Sequence, residues 1–310
     1  MLTADYYYKK THDLLNTVEL PGSSGYMNGL KNISTMLNKG FEFQLNGRAI
    51  DTPAVKWDIA LNASINRNKV VELPYGEDVY GTRRSVTYMT DYINLVREGQ
   101  PIGVFYGYVE DGYDDQGRVV FRNYDDNPEI NENDKRIIGD PNPKCTFGFN
   151  TSLSWKGLTL SAYFQGSYGN DIYSLSIAEF GYNYSSNRGR NGFADILGNT
   201  WTPEKTNAKY PVLSAAGTGS MRMSDRFVYD GSYLRMQNIE LAYSIPVKRV
   251  AWISSVVVYV SGQNLWTLTS YPFFNPDVNT YGGSSSVDQG IDALSYPLAK
   301  SFTIGIRARF

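Results

Sequence analysis

The sequence predicts an all-β protein: an antiparallel transmembrane β-barrel segment of about eight strands, with long extracellular loops. Three observations predict it. Several runs alternate apolar and polar residues with a period of two, which sends successive side chains to opposite faces of a strand. The connections between those runs alternate long and short. The composition holds 25 Tyr, 14 Phe, 5 Trp and 29 Gly among 310 residues, a mixture that suits strands, tight turns and interfacial aromatic girdles better than helices.

The strands follow in order. An opening strand is expected near Leu2 to Lys9. NKGFEFQLNGR sets Phe41, Phe43 and Leu45 against Glu42, Gln44 and Asn46. VKWDIALNASINRN sets Trp57, Ile59, Leu61, Ala63 and Ile65 against Lys56, Asp58, Ala60, Asn62, Ser64 and Asn66. TFGFNTSLSWKGLTLSAYFQGS reads as two strands around a two-residue turn at Lys156-Gly157, with glycine where a positive φ is wanted. YLRMQNIELAYSIP places Ile239, Leu241, Tyr243 and Ile245 on one face. SVVVYVSGQNLW is a strand by its β-branched content, with ambiguous facing. SFTIGIRARF closes the series, with Phe302, Ile304, Ile306, Ala308 and Phe310 in one row and Arg307 and Arg309 in the other.

The long connections are expected at 10–37, 71–142, 172–230 and 269–297, and the short ones at 49–54, 156–157 and 246–254. Such long loops are uncommon in compact soluble domains. Their alternation with short turns is the pattern of outer-membrane barrels, whose external loops are long and periplasmic turns short. Most runs also reach the roughly 9 to 11 residues a tilted strand needs to cross a bilayer. The rival reading is a soluble two-sheet protein with elaborated loops, in which the apolar rows would point inward.

No window approaches the roughly 18 to 20 apolar residues of a spanning helix. The net charge of −2, with no basic stripe, offers nucleic acid nothing to bind. The single cysteine, Cys145, excludes an internal disulfide, and the single histidine, His12, lies in KKTHDLL with no motif around it. MLTADYYYKK is not a signal peptide, which taken alone argues for the cytoplasm, against the C-terminal strand.

Sites are sparse. The loop RNYDDNPEINENDKRIIGDPNP places Asn123, Asp125, Asn127, Asn131 and Asp134 at positions one, three, five, nine and twelve of a calcium-loop frame, with the Glu129 carbonyl at seven. Pro128 replaces the glycine of the sharp turn, and the last ligand is Asp rather than Glu. The expectation is a degenerate calcium loop kept for its shape, with structural Ca²⁺ as the only cofactor considered. Tyr182, Tyr184, Trp201, Tyr271, Phe273 and Phe274 are loop aromatics able to stack on a sugar or peptide, or to pack a loop down. No carboxylate pair can be picked out for glycoside hydrolysis, and no GxSxG, GxGxxG or P-loop pattern occurs. The chain is expected not to be an enzyme.

Several stretches together resemble one family: GQPIGVFYGYVEDGYDDQG, RIIGDPNPKCTFGFNTSLSWKGLTLSAYFQGSYGNDIY, DRFVYDGSYLRMQNIELAYSIP, VYVSGQNLWTLTSYPFFNPDVN and the terminal strand. They are similar to the C-terminal half of the SusC/RagA family of TonB-dependent outer-membrane transporters. The resemblance implies a barrel of about 22 strands, of which residues 1–310 supply the last third, without signal, TonB box, plug or N-terminal strands. It implies the outer membrane of a Bacteroidetes-type Gram-negative envelope, which removes the conflict over the missing signal. It implies import of a large nutrient, an oligosaccharide or peptide, with a SusD-like surface lipoprotein, TonB, outer-membrane lipid and the barrel-assembly machinery as partners. Under it the row ending at Phe310 faces lipid, Arg307 and Arg309 face the lumen, and Phe310 fits a barrel-assembly signal. The alternatives are a passive structural or adhesive surface barrel and a soluble all-β carbohydrate-active enzyme.

Overall fold

The computed structural model describes residues 1–19, 28–86, 89–182, 191–215, 219–247, 252–283 and 285–310, with backbone only at 15–19 and 28–33. Eight long strands form one antiparallel sheet: β1 Leu2–Glu19, β2 Asn28–Asp51, β3 Val55–Glu72, β4 Cys145–Trp155, β5 Leu158–Tyr168, β6 Tyr233–Ile245, β7 Ser255–Thr269 and β8 Ser301–Arg309. Each pairs with its neighbour in sequence, so the sheet is an unbroken meander. No helix among the described residues is long and apolar enough to cross a membrane.

The register joins like to like. Trp57, Leu153, Leu160, Leu241, Val260 and Ile304 face one another across six strands. One step along, Asp58, Ser152, Ser161, Glu240, Ser261 and Thr303 form the matching polar row. The apolar row is exposed throughout, up to 87% at Ile304. An exposed, contiguous apolar face of this breadth is a surface made for hydrocarbon, because water would leave it uncovered. The polar face needs no such cover. In β7, whose facing was ambiguous, Val256, Val258 and Val260 oppose Ala308, Ile306 and Ile304, while Val257 opposes Arg307.

Two glycines permit close approach of side chains over the sheet. A Cβ on Gly40 would strike the Ile65 carbonyl and the Tyr7 ring, and one on Gly305 would strike the Tyr259 ring. Both rings therefore lie flat over glycine backbone in the neighbouring strand.

The connections differ from expectation at one place. Residues 10–19 and 28–37 are not loop but a continuation of the β1–β2 ladder, with an irregularity between Thr11 and Leu14 where Asp13 takes φ 57°. Thr11, His12 and Asp13 put polar residues in both rows at the point where the ladder continues, so no apolar face marks it in the sequence. The short connections 52–54 and 156–157 lie at the opposite end of the sheet, as do the Ile245 end of β6 and the Ser255 start of β7.

The described residues of the connections 73–144, 169–232 and 270–300 fold together into a cap. It contains a four-stranded sheet of Val79–Tyr80, Asn94–Val96, Val104–Gly107 and Arg136–Gly139. A second sheet pairs Asp171–Ser174 antiparallel with Val228–Asp230 and parallel with Ile291–Asp292, tying two connections together. Helix α1, Leu175–Tyr182, follows, and six of its residues are buried. The sequence shows no helical period there because the helix is covered nearly all round. Phe105, Tyr108 and Phe121 from the first connection, Tyr173, Tyr210 and Phe227 from the second, and Tyr271 and Ile291 from the third share one hydrophobic core.

Candidate functional site

The candidate site is the polar face of the sheet together with the cap. Near the short-turn end the polar face carries paired charges. Arg48 Nε donates to Asp58 Oδ1 at 2.8 Å, and Arg307 donates to both Glu240 oxygens at 3.0 and 2.7 Å while lying 4.0 Å over the Tyr259 ring. Higher up the wall is mostly neutral: Asn62, Asn150, Tyr163, Gln165, Asn238 and Gln263 share the face. At the cap end Arg235 is buried, donating to Asn275 Oδ1 at 2.6 Å and Asp277 Oδ2 at 3.2 Å in the last long connection. The cap thus reaches down onto the inner wall. Arg309 is exposed opposite Ser255, and the exposed Phe310 ring stacks on Trp252 at 5.5 Å and 3° beyond the short-turn end of the sheet.

Charge clasps hold the cap's segments to one another. Arg226 Nε donates to both Glu110 oxygens at 2.7 Å, and Ser224 Oγ donates to the same carboxylate. Burial would lower the Arg226 pKa, but the Glu110 carboxylate outweighs it and holds the guanidinium pKa raised. Asp288, fully buried, accepts from Thr82 N, Thr82 Oγ1 and Arg84 Nη2. Lys135, 3% exposed, donates to Asp91 and Glu132, both at 2.6 Å. Burial opposes its charge too, and the two carboxylates again prevail. Sequence reasoning missed the Arg226 and Asp288 clasps, because partners 116 and 206 residues apart leave no local pattern.

The structure places each aromatic that the sequence singled out, except Tyr184, which lies outside the described residues. Tyr182, Trp201 and Tyr271 are only 4%, 7% and 4% exposed. Tyr182 packs edge-on against Phe227 at 5.4 Å, Trp201 covers Gly117, and Tyr271 donates to Asp292 Oδ2 at 2.6 Å. These three rings pack the cap rather than face a solute. Phe273 stacks with Phe180 at 6.3 Å and touches Phe274, whose ring is 62% exposed.

The acidic loop brings its predicted residues together, but its side-chain oxygens hold the loop itself. Asn123, Asp125 and Asn127 each accept a backbone N–H two residues on, at 3.0, 2.9 and 3.0 Å. Asp134 accepts from Tyr124 N and Asn131 N, and Asn131 Nδ2 donates to Asp125 and to the Glu129 carbonyl. Among the described residues, no three His, Cys, Asp or Glu side chains gather as a metal site would require. His12 Nδ1 lies 3.5 Å from Thr35 Oγ1, and Cys145 is a free thiol.

A meander with one apolar and one polar face, short turns at one end and a folded cap at the other, is part of the wall of a transmembrane β-barrel. No protein-family model matches the chain. Curated relatives do. It is 36% identical to TonB-dependent receptor P3 of Formosa agariphila, over all of this chain and 32% of that protein. It is 28% identical to TonB-dependent receptor SusC of Bacteroides thetaiotaomicron, over 99% of this chain and 30% of that one. The fold matches a solved structure of the RagAB peptide transporter, with a TM-score of 0.80 at 23% identity, covering 98% of this chain and 32% of that one. The chain spans about a third of the length of the curated relatives it matches. It belongs to the TonB-dependent receptors of the outer membrane.

Proposed function

We propose that the chain supplies the C-terminal barrel strands and extracellular loops of a TonB-dependent importer of a large nutrient, an oligosaccharide or a peptide. The observation that carries this reading is the two-faced sheet: an apolar row exposed across six strands, backed by a polar row, with the long connections folded over one end. In this reading the apolar row meets lipid, Arg307 and Arg309 line the lumen, and no bond-making chemistry takes place. A SusD-like lipoprotein covers the cap, TonB supplies the pull from the periplasm, and Phe310 serves the barrel-assembly machinery. The acidic loop is a calcium-loop relative kept for its shape. Calorimetry with Ca²⁺ on the assembled receptor tests that last point; micromolar affinity would overturn it.

The import reading is tested by deleting the gene that encodes the whole receptor in its host and following uptake of labelled oligosaccharides and peptides. Loss of uptake of one class, restored by the intact gene and abolished by a protonophore, is the expected result. Unchanged uptake of both classes, with loss of surface attachment instead, would favour an adhesive barrel.

A further inference from the structure

The cap holds a recess that the import reading does not use. Its cavity of about 310 Å³ is lined by Met89, Thr90, Asp91, Tyr108 and residues 219–223. That volume lies at the lower end of the range for small-molecule sites, roughly 300–1,000 Å³. It suits the end of a chain molecule rather than its length. Met89, Met221, Met223 and Tyr108 are buried and form a fixed floor.

The charges around the recess do not balance. Asp91 is compensated by Lys135 at 2.6 Å. Arg222 is exposed, with its guanidinium carbon 5.2 Å from the Tyr108 ring centroid and 6.0 Å from that of Phe121. Elsewhere in the cap Arg84, Arg97, Arg118, Arg122 and Arg226 each hold a carboxylate, whereas Arg83 and Arg136, which lie away from the recess lining, hold none among the described residues. Among the described residues Arg222 pairs with none. Two aromatic faces orient it, and among the described residues its guanidinium makes no hydrogen bond at the wall of the cavity. A planar guanidinium in that condition matches the paired oxygens of a carboxylate or sulfate.

We propose that this recess is a subsite for an acidic saccharide, with Arg222 binding a carboxylate or sulfate-ester group and Asp91 and Thr90 meeting neighbouring sugar hydroxyls. A saccharide fits better than a peptide. The apolar side chains present only buried floor and no slot for a peptide side chain, while the accessible groups are hydroxyl, carboxylate and guanidinium. The proposal rests on the import reading only for where the bound sugar goes next.

The test is equilibrium binding to the full-length receptor in detergent. The probes are a trigalacturonate, a sulfated galactan trisaccharide, neutral maltotriose and trialanine. At least one acidic trisaccharide is expected to bind, at least about tenfold more tightly than the neutral sugar or the peptide, with affinity falling as salt rises. Arg222→Ala is expected to lose about tenfold or more, and Arg222→Lys to recover part of it, because an ammonium keeps the charge but not the fork. Unchanged affinity in Arg222→Ala, equal binding of maltotriose or trialanine, or no binding of either acidic probe would overturn the proposal. Binding intact with uptake absent would instead count against the import reading.

Discussion

Arg226 shows how single residues hold the cap. Its guanidinium spans Glu110, the Lys209 carbonyl at 2.8 Å and the Tyr182 hydroxyl at 3.4 Å, and the ion pair is only 14% and 11% exposed. Removing one partner of such a pair strands a charge, so Arg226→Ala is expected to destabilise the cap by about 3–5 kcal/mol. Glu110→Leu combined with Arg226→Met is expected to cost far less, because neither charge is left behind. Denaturant titration of the full receptor, followed through Trp201 fluorescence, separates the two. The acidic loop makes a pH prediction. The hydrogen bond from Asn131 holds the Asp125 carboxyl below the ordinary carboxylate range. With its folded pKa lowered, Asp125 supports the loop above the ordinary range, and that support is lost as pH falls through the lowered value. A carboxyl NMR titration should place Asp125 low in the parent and nearer its usual value in Asn131→Ala. In sequence this loop was legible as a ring of oxygens at alternate positions. What those oxygens bind was not, because an Asx turn and a calcium loop draw on the same residues.

Among elements, the central strands were legible wherever a strand has to show lipid and water different faces. Leu158, Leu160, Ala162 and Phe164 keep the period of two through β5, and all but Ala162, which faces Thr151 on one side, find apolar partners on both sides. Legibility failed where that demand lapses. Past Lys10 β1 runs through Thr11, His12 and Asp13, polar in both rows, and β7 carries valine on both faces, so neither shows the contrast that marks a facing. α1 fails for the opposite reason, being buried nearly all round. The same logic predicts an asymmetry between adjacent residues of β5. Leu160→Arg places a charge in the apolar row and is expected to cost about 2–4 kcal/mol. Ser161→Arg, on the polar row opposite Ser152 and Glu240, is expected to be tolerated. Heat-modifiable migration of the full receptor on gels, a readout of barrel closure, should fall for the first and hold for the second. Gly305→Val is expected to displace the Tyr259 ring and loosen β7 from β8, lowering the same signal.

For the molecule as a whole, the cap is one body rather than three loops, because a single core draws on all three connections. Hydrogen exchange should therefore show Val104–Gly107, Asp171–Ser174 and Ile291–Asp292 losing protection together in Asp288→Ala, although only the third lies near the substitution in sequence. Among the described residues the sheet has two open edges, since β1 and β8 each pair there with a single neighbour. Unpaired edges of this length template aggregation. The 310-residue chain expressed by itself is thus expected to elute from a sizing column in detergent as aggregate, not as a discrete species. The clasp at Asp288 also bears on time. Its partners Thr82 and Arg84 precede it by 206 and 204 residues. Four wall strands, β4 to β7, must be laid down between the making of one half and the arrival of the other. The clasp then closes late in biogenesis, and a closed cap reports, from the cell's exterior, that β4 to β7 beneath it have been laid down.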